Sequence, residues 1–194
     1  MNENESNRIF LAAVDEIAPN RIRSRAGKQF TKGLVRDMPR RLITEDLARM
    51  TWRHFESLAA EIALREYGGK VLLTPQSRDK GADVIVMGDS VNVLILCNLT
   101  KHDHLKSELP LREIHSARPF YERFTQVKFG KLLLVSNVKS YGRQIQETAR
   151  TLGVELMDEE YIIQRVRQYE ITWQDLLRRF SQPRLFPFWT RGFW

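Results

Sequence analysis

A single cysteine, Cys97, occurs in 194 residues. That count excludes an internal disulfide and any cluster of thiolates around zinc. Cys97 lies inside an apolar run with no histidine near it in sequence, which reads as a buried inert thiol rather than a nucleophile. No run of eighteen apolar residues is present, so no membrane-spanning helix is expected. The opening residues, MNENESNR, are polar and acidic rather than basic then apolar; no secretory leader is read there, and the cytoplasm is the expected location. Also missing are a glycine-rich phosphate loop, a nucleophile elbow and the spacing of zinc ligands, so nucleotide hydrolysis and serine-type catalysis are set aside. No internal repeat is visible.

What is present suits one domain with a sizeable core and extensions: 42% of the residues are hydrophobic and 28% charged. The net charge of +7 is unevenly spread. Residues 1–50 hold ten Lys/Arg against seven Asp/Glu, residues 101–150 hold ten against five, and the remainder is near neutral. Within residues 21–41 the basic side chains Arg21, Arg23, Arg25, Lys28, Lys32, Arg36, Arg40 and Arg41 face one acid, Asp37. Such an arm suits a phosphate backbone, with a merely solvated arm as the alternative.

Periodicity divides the rest. Residues 6–18 have helical spacing that Pro19 ends, and the basic stretch after it has no apolar face. A short helix is expected over 44–50. Thr51 then caps a helix with Trp52, Phe55, Leu58, Ala59, Ile62 and Ala63 on one stripe, closed by Gly68-Gly69. KVLLT reads as a strand. Leu111, Ile114, Phe120 and Phe124 mark a helix that Pro119 should interrupt. KLLLVS reads as a strand covered on both faces. Next come a helix from Arg143 to Leu152 stopped by Gly153, a short strand VELM, a helix capped by Asp158, and a last helix after a Thr172–Asp175 capping box. The expected organisation is an N-terminal helix and basic arm (1–43), an α/β domain (44–181) and an aromatic tail (182–194).

The most informative stretch is Ser77 to Lys101. Asp79 and Asp83 precede the apolar run ADVIVM, Gly88-Asp89-Ser90 makes a turn, and VNVLILCNL follows, which predicts a β-hairpin. Alternation puts Leu94, Leu96 and Asn98 on one face of its second strand and Val93, Ile95 and Cys97 on the other. Asp79 reads either as a second metal ligand or as a plain turn residue before Gly81, and His102-Asp103-His104 as an exposed polar loop rather than a metal site.

Phe55-Glu56 on a helix, Gly81-Ala82-Asp83 opening a strand and Leu96-Cys97-Asn98 ending the next resemble the Mrr-type restriction endonucleases of the PD-(D/E)xK nuclease superfamily. That family shows Phe-Glu, Gly-hydrophobic-Asp and Gln-x-Lys at those places; here Leu96 stands for the glutamine and Asn98 for the lysine. Residues 129–162 are similar to the family's closing strand, helix, strand and helix, so the likeness spans about residues 44–168. It implies a restriction endonuclease-like core, a central mixed sheet flanked by helices. It also implies duplex DNA as the ligand, a role in host defence or a mobile element, and magnesium held by Asp83, Glu56 and the backbone carbonyl of Cys97. With Asn98 uncharged, the cation of the family motif would have to come from Lys101, three residues on, reaching back from a bulge or turn. Loss of such a group costs on the order of a hundred- to ten-thousandfold in rate.

The alternative keeps the fold and drops the reaction: a degenerate subunit that binds DNA and docks into a larger complex. Phe188, Trp189, Phe193 and Trp194 in the tail would do the docking, or would cover the chain's own core or a second copy.

Overall fold

Each apolar run read as a strand enters one sheet. The structure, a computed structural model, describes residues 41–74 and 81–180; the expected first helix, the arm up to Arg40, Asp79 and the aromatic tail lie outside the described residues. Strands β1 (Lys70–Leu73), β2 (Val84–Met87), β3 (Asn92–Asn98), β4 (Lys131–Ser136) and β5 (Val154–Met157) stand in sequence order across the sheet. The pairs β1–β2 and β2–β3 are antiparallel, and β3–β4 and β4–β5 are parallel. The helices are α1 (Thr44–Leu47), α2 (Trp52–Tyr67), α3 (Leu109–Thr125), α4 (Arg143–Leu152), α5 (Glu159–Gln168) and α6 (Trp173–Phe180). The α/β architecture with a mixed sheet is as expected.

Period-two alternation divides the core in two. Val84, Val86, Val93, Ile95, Leu133 and Val135 pack under α2, α5 and α6. Ile85, Leu94, Leu96, Leu132 and Leu134 pack under α3 and α4. β4, buried on both faces, is the continuous apolar run that such a position requires.

The order of strands also creates an edge. β3 and β4 are parallel, so their carboxyl ends lie together, and α3 and α4 both begin beyond that edge; β2 runs the other way and starts there. Ligands of open α/β sheets collect at this kind of edge.

Local chemistry seats α2 against the hairpin. Thr51 Oγ1 accepts the His54 N–H at 3.4 Å, and His54 Nδ1 accepts the Thr51 N–H at 3.3 Å. Burial pushes the His54 imidazole down to about 4, so the ring stays neutral and keeps that acceptor. At the far end, a Cβ on Gly69 would meet the Met87 carbonyl oxygen at 2.1 Å, and φ there is +66°. Glycine lets the helix end pass against the hairpin.

Two expectations need correction. α3 is one helix from Leu109 to Thr125 with Pro119 inside it. Pro119 sits on the exposed side, where the carbonyl it leaves unbonded meets water. The inward stripe of α3 is therefore Leu111, Ile114, Ala117 and Tyr121, with Phe124 only partly buried. Trp52, placed on the buried stripe of α2, is 44% exposed, with the Arg53 guanidinium 5.1 Å from its ring centre.

Candidate active site

The approach to β2 runs along a path that favours glycine. Gly81 has a φ of +86°, and a Cβ there would lie 2.9 Å from the Glu113 carbonyl oxygen in α3. The Ala82 carbonyl accepts from Thr74 Oγ1 at 2.8 Å and from the Tyr121 hydroxyl at 3.3 Å. The Asp83 carbonyl accepts the Thr74 N–H at 2.9 Å, and the Asp83 N–H donates to the Ile95 carbonyl at 2.8 Å. The backbone at Asp83 is thus fixed from β3, from the residue after β1 and from α3.

The Asp83 side chain is only 8% exposed. Its Oδ2 accepts the Cys97 N–H at 2.6 Å, a short charge-assisted bond. The hairpin register ends at the Val84–Ile95 pair, so Asp83 sits in the bend just before β2, while Leu96 and Asn98 share one face of β3. Leu96 is buried in the core under α3, while Asn98 is half-buried and its carbonyl accepts from Ser136 Oγ at 2.7 Å.

Glu56 lies in the second turn of α2, 5% exposed, on the helix that packs over Val84 and Ile95. Lys101 is exposed, in a bend beyond β3. His102 and His104 are exposed as well, with His104 Nδ1 3.2 Å from Ser140 Oγ. The fold therefore gathers Asp83, Leu96, Cys97 and Asn98, with Lys101 on the adjoining bend. Of the basic residues assigned to DNA, Arg41 falls among the described residues; its guanidinium pairs with Glu170 at 2.8 Å, both side chains exposed.

Sequence reasoning missed Thr74, Tyr121, Ser136 and Asn137. Tyr121 was within reach of it: a continuous helix puts residue 121 on the stripe of 111 and 114, and a buried tyrosine needs a hydrogen-bond partner. The other three are polar residues just inside or beyond strand ends. Nothing in their spacing distinguishes them from ordinary turn residues.

A family model for the catalytic domain of Mrr, described as restriction endonuclease, matches residues 47–166. The chain belongs to this family. No curated protein and no solved structure gives a significant match. The Mrr catalytic match spans the hairpin, both helices packed against it and the whole sheet.

Restriction endonuclease-like domains generally use divalent metal ions. Among the described residues no three or more His, Cys, Asp or Glu side chains gather as a metal cage. What the Mrr edge offers is carboxylate and carbonyl oxygen, the donor set of magnesium, which keeps several waters and needs only one or two carboxylates. The site fits an ion of that kind and not a closed zinc cage. No described helix is long and apolar enough to cross a membrane.

Proposed function

We propose that this chain is a metal-dependent DNA endonuclease acting on duplex DNA, with Asp83 as the central carboxylate, in a host-defence or mobile-element setting. The observation that carries the reading is Asp83 itself: a buried carboxylate at the carboxyl edge of β3, its backbone held on three sides and one oxygen set at 2.6 Å on the Cys97 amide. A surface acid has no need of such support.

In this reading Asp83, Glu56 and the Cys97 carbonyl would hold magnesium. Such an ion would supply Lewis acidity toward a phosphoryl oxygen and a bound water. The water would give up a proton to solvent as its oxygen forms a bond to phosphorus, the bond to the leaving sugar oxygen would break, and that oxygen would take up a proton from solvent. Lys101 supplies positive charge beside the phosphate, in place of the lysine that Asn98 lacks. Lys106, Arg112, Lys139 and Arg143 lie on the loops and helix starts of the same edge, and with the arm residues Arg21 to Arg40 they would track the flanking phosphates. Leu96 brings no ligand atom and Asn98 no charge, so turnover is slow relative to a site with the full motif.

The test uses purified full-length protein with supercoiled plasmid, methylated and unmethylated, and magnesium or manganese. Nicking that vanishes on chelation and in Asp83→Ala, and that falls at least about a hundredfold in Lys101→Ala, is the expected result. DNA that is bound in a salt-sensitive way yet never cut would replace this reading with that of a binding subunit.

A further inference from the structure

Beyond Asn98 and Ser136 the β3–β4 ladder stops, but the two chains stay joined by side chains. Asn137 makes the chief link: its Oδ1 accepts the Thr100 N–H at 2.8 Å, and its Nδ2 donates to the Thr100 carbonyl at 2.8 Å. An asparagine amide carries both a donor and an acceptor, so here it imitates one more residue of strand. Below it, Ser136 Oγ donates to the Asn98 carbonyl at 2.7 Å. Above it, the Lys139 N–H donates to the Asp103 carbonyl at 2.9 Å and Lys139 Nζ pairs with the Asp103 carboxylate at 3.1 Å. Thr100 also uses its hydroxyl to accept the His102 N–H at 3.1 Å, which closes the bend around Lys101.

Lys101 therefore has a pinned backbone and an exposed side chain. Three bonds fix the residue before it, and two of them come from one side chain of the next strand's exit. A loop that only connected β3 to α3 would have no need of this arrangement, since its exposed backbone could bond to water. The same ladder leads back through Asn98 and Cys97 to the Asp83 carboxylate.

We propose that Asn137 is a positioning residue, which fixes the reach of the Lys101 ammonium toward the phosphate held at Asp83. Because Lys101 is the cation of the hydrolytic reading, this role rests on that reading. A displacement of about 1 Å at a reacting group costs on the order of a hundredfold in rate, so the effect of losing the clasp falls on cleavage and not on binding.

The experiment measures single-turnover nicking and DNA affinity of the full chain as wild type, Asn137→Ala, Asn137→Asp, Lys101→Ala and Asn137→Ala with Lys101→Ala. Asn137→Asp keeps the size and the acceptor but sets an oxygen against the Thr100 carbonyl, and thermal unfolding checks that each variant folds. Both Asn137 variants are expected to nick at least about tenfold more slowly, with affinity within about twofold of wild type. The combined variant is expected to nick no more slowly than Lys101→Ala alone, the signature of two residues acting through one group. Normal nicking in both Asn137 variants, or a loss that multiplies with that of Lys101→Ala, overturns the role of Asn137 and leaves the hydrolytic reading standing. A wild type that never nicks overturns both.

Discussion

Asp83 precedes the last hairpin pair and Leu96 follows it, and the two state the problem of this site: a carboxylate held in place at the end of a strand whose next side chain can coordinate nothing. If the edge is a nuclease site short of two groups, supplying them should raise its rate. Leu96→Gln combined with Asn98→Lys restores the polar row of the family pattern, and nicking is expected to increase on the order of a hundredfold. The same change puts an amide where Leu96 is 8% exposed, so stability should fall by about 1 to 2 kcal/mol, read by urea unfolding. A double variant that folds yet cuts no faster argues that this row does not touch the phosphate. At this scale the sequence made the carboxylate legible, because Gly81-Ala82-Asp83 sits where an apolar alternation begins. It could not reveal that Thr74 and Tyr121 grip the Ala82 carbonyl, since that contact joins residues 39 positions apart in the case of Tyr121.

The elements owe their places to chemistry that was partly visible in advance. The Thr172–Asp175 box forms as expected: Thr172 N–H donates to Asp175 Oδ2 at 3.0 Å and Asp175 N–H to Thr172 Oγ1 at 3.2 Å. What docks α6 was not visible. Arg179 Nη2 reaches Glu61 Oε2 on α2 at 3.0 Å, with side chains 9% and 5% exposed, and Arg65 holds the other Glu61 oxygen at 2.9 Å. Two buried charges 118 positions apart leave no periodic trace. Arg179→Leu should destabilise the fold by about 3 kcal/mol, the low end for a broken buried pair because Arg65 still neutralises Glu61. Chemical denaturation measures it, and a loss under 1 kcal/mol would mean that apolar contacts alone seat α6. Pro119 taught the opposite lesson. Its missing N–H does end helices in general, but on the solvent side of α3 the orphaned carbonyl is hydrated, and the apolar stripe carries the helix through. The buried stripe runs on from Ile114 through Ala117 and Tyr121, where Phe120 and Phe124 are expected from the sequence.

For the whole molecule, the parallel exit of β3 and β4 decides where DNA would lie. Asp83, the Lys101 bend and the starts of α3 and α4 share one edge of the sheet, and Lys101, Lys106, Arg112, Lys139 and Arg143, half of the ten Lys/Arg of residues 101–150, fall around it. Arg143, 93% exposed and paired among the described residues with Glu147 in a weak surface bridge, and Lys106 are available to phosphate. Replacing each by alanine should weaken duplex binding uniformly across sequences, and each should lower the slope of log affinity against log salt by about 1. Fluorescence anisotropy over a salt series reads both, and an unchanged slope would move the DNA to another face. The expected fold class was legible in the sequence, since strand and helix runs alternate with clear stops.

The central claim is that the Asp83 carboxylate serves phosphodiester hydrolysis. Its most direct test is the single-turnover cleavage rate of an end-labelled duplex with magnesium or manganese, comparing wild type with Asp83→Asn, which keeps the size and the acceptor for the Cys97 amide but removes the charge. Metal-dependent cleavage by the wild type that falls at least about a hundredfold in Asp83→Asn, with duplex binding retained, is the predicted result. Equal cleavage by the two proteins, or none by either, would contradict it.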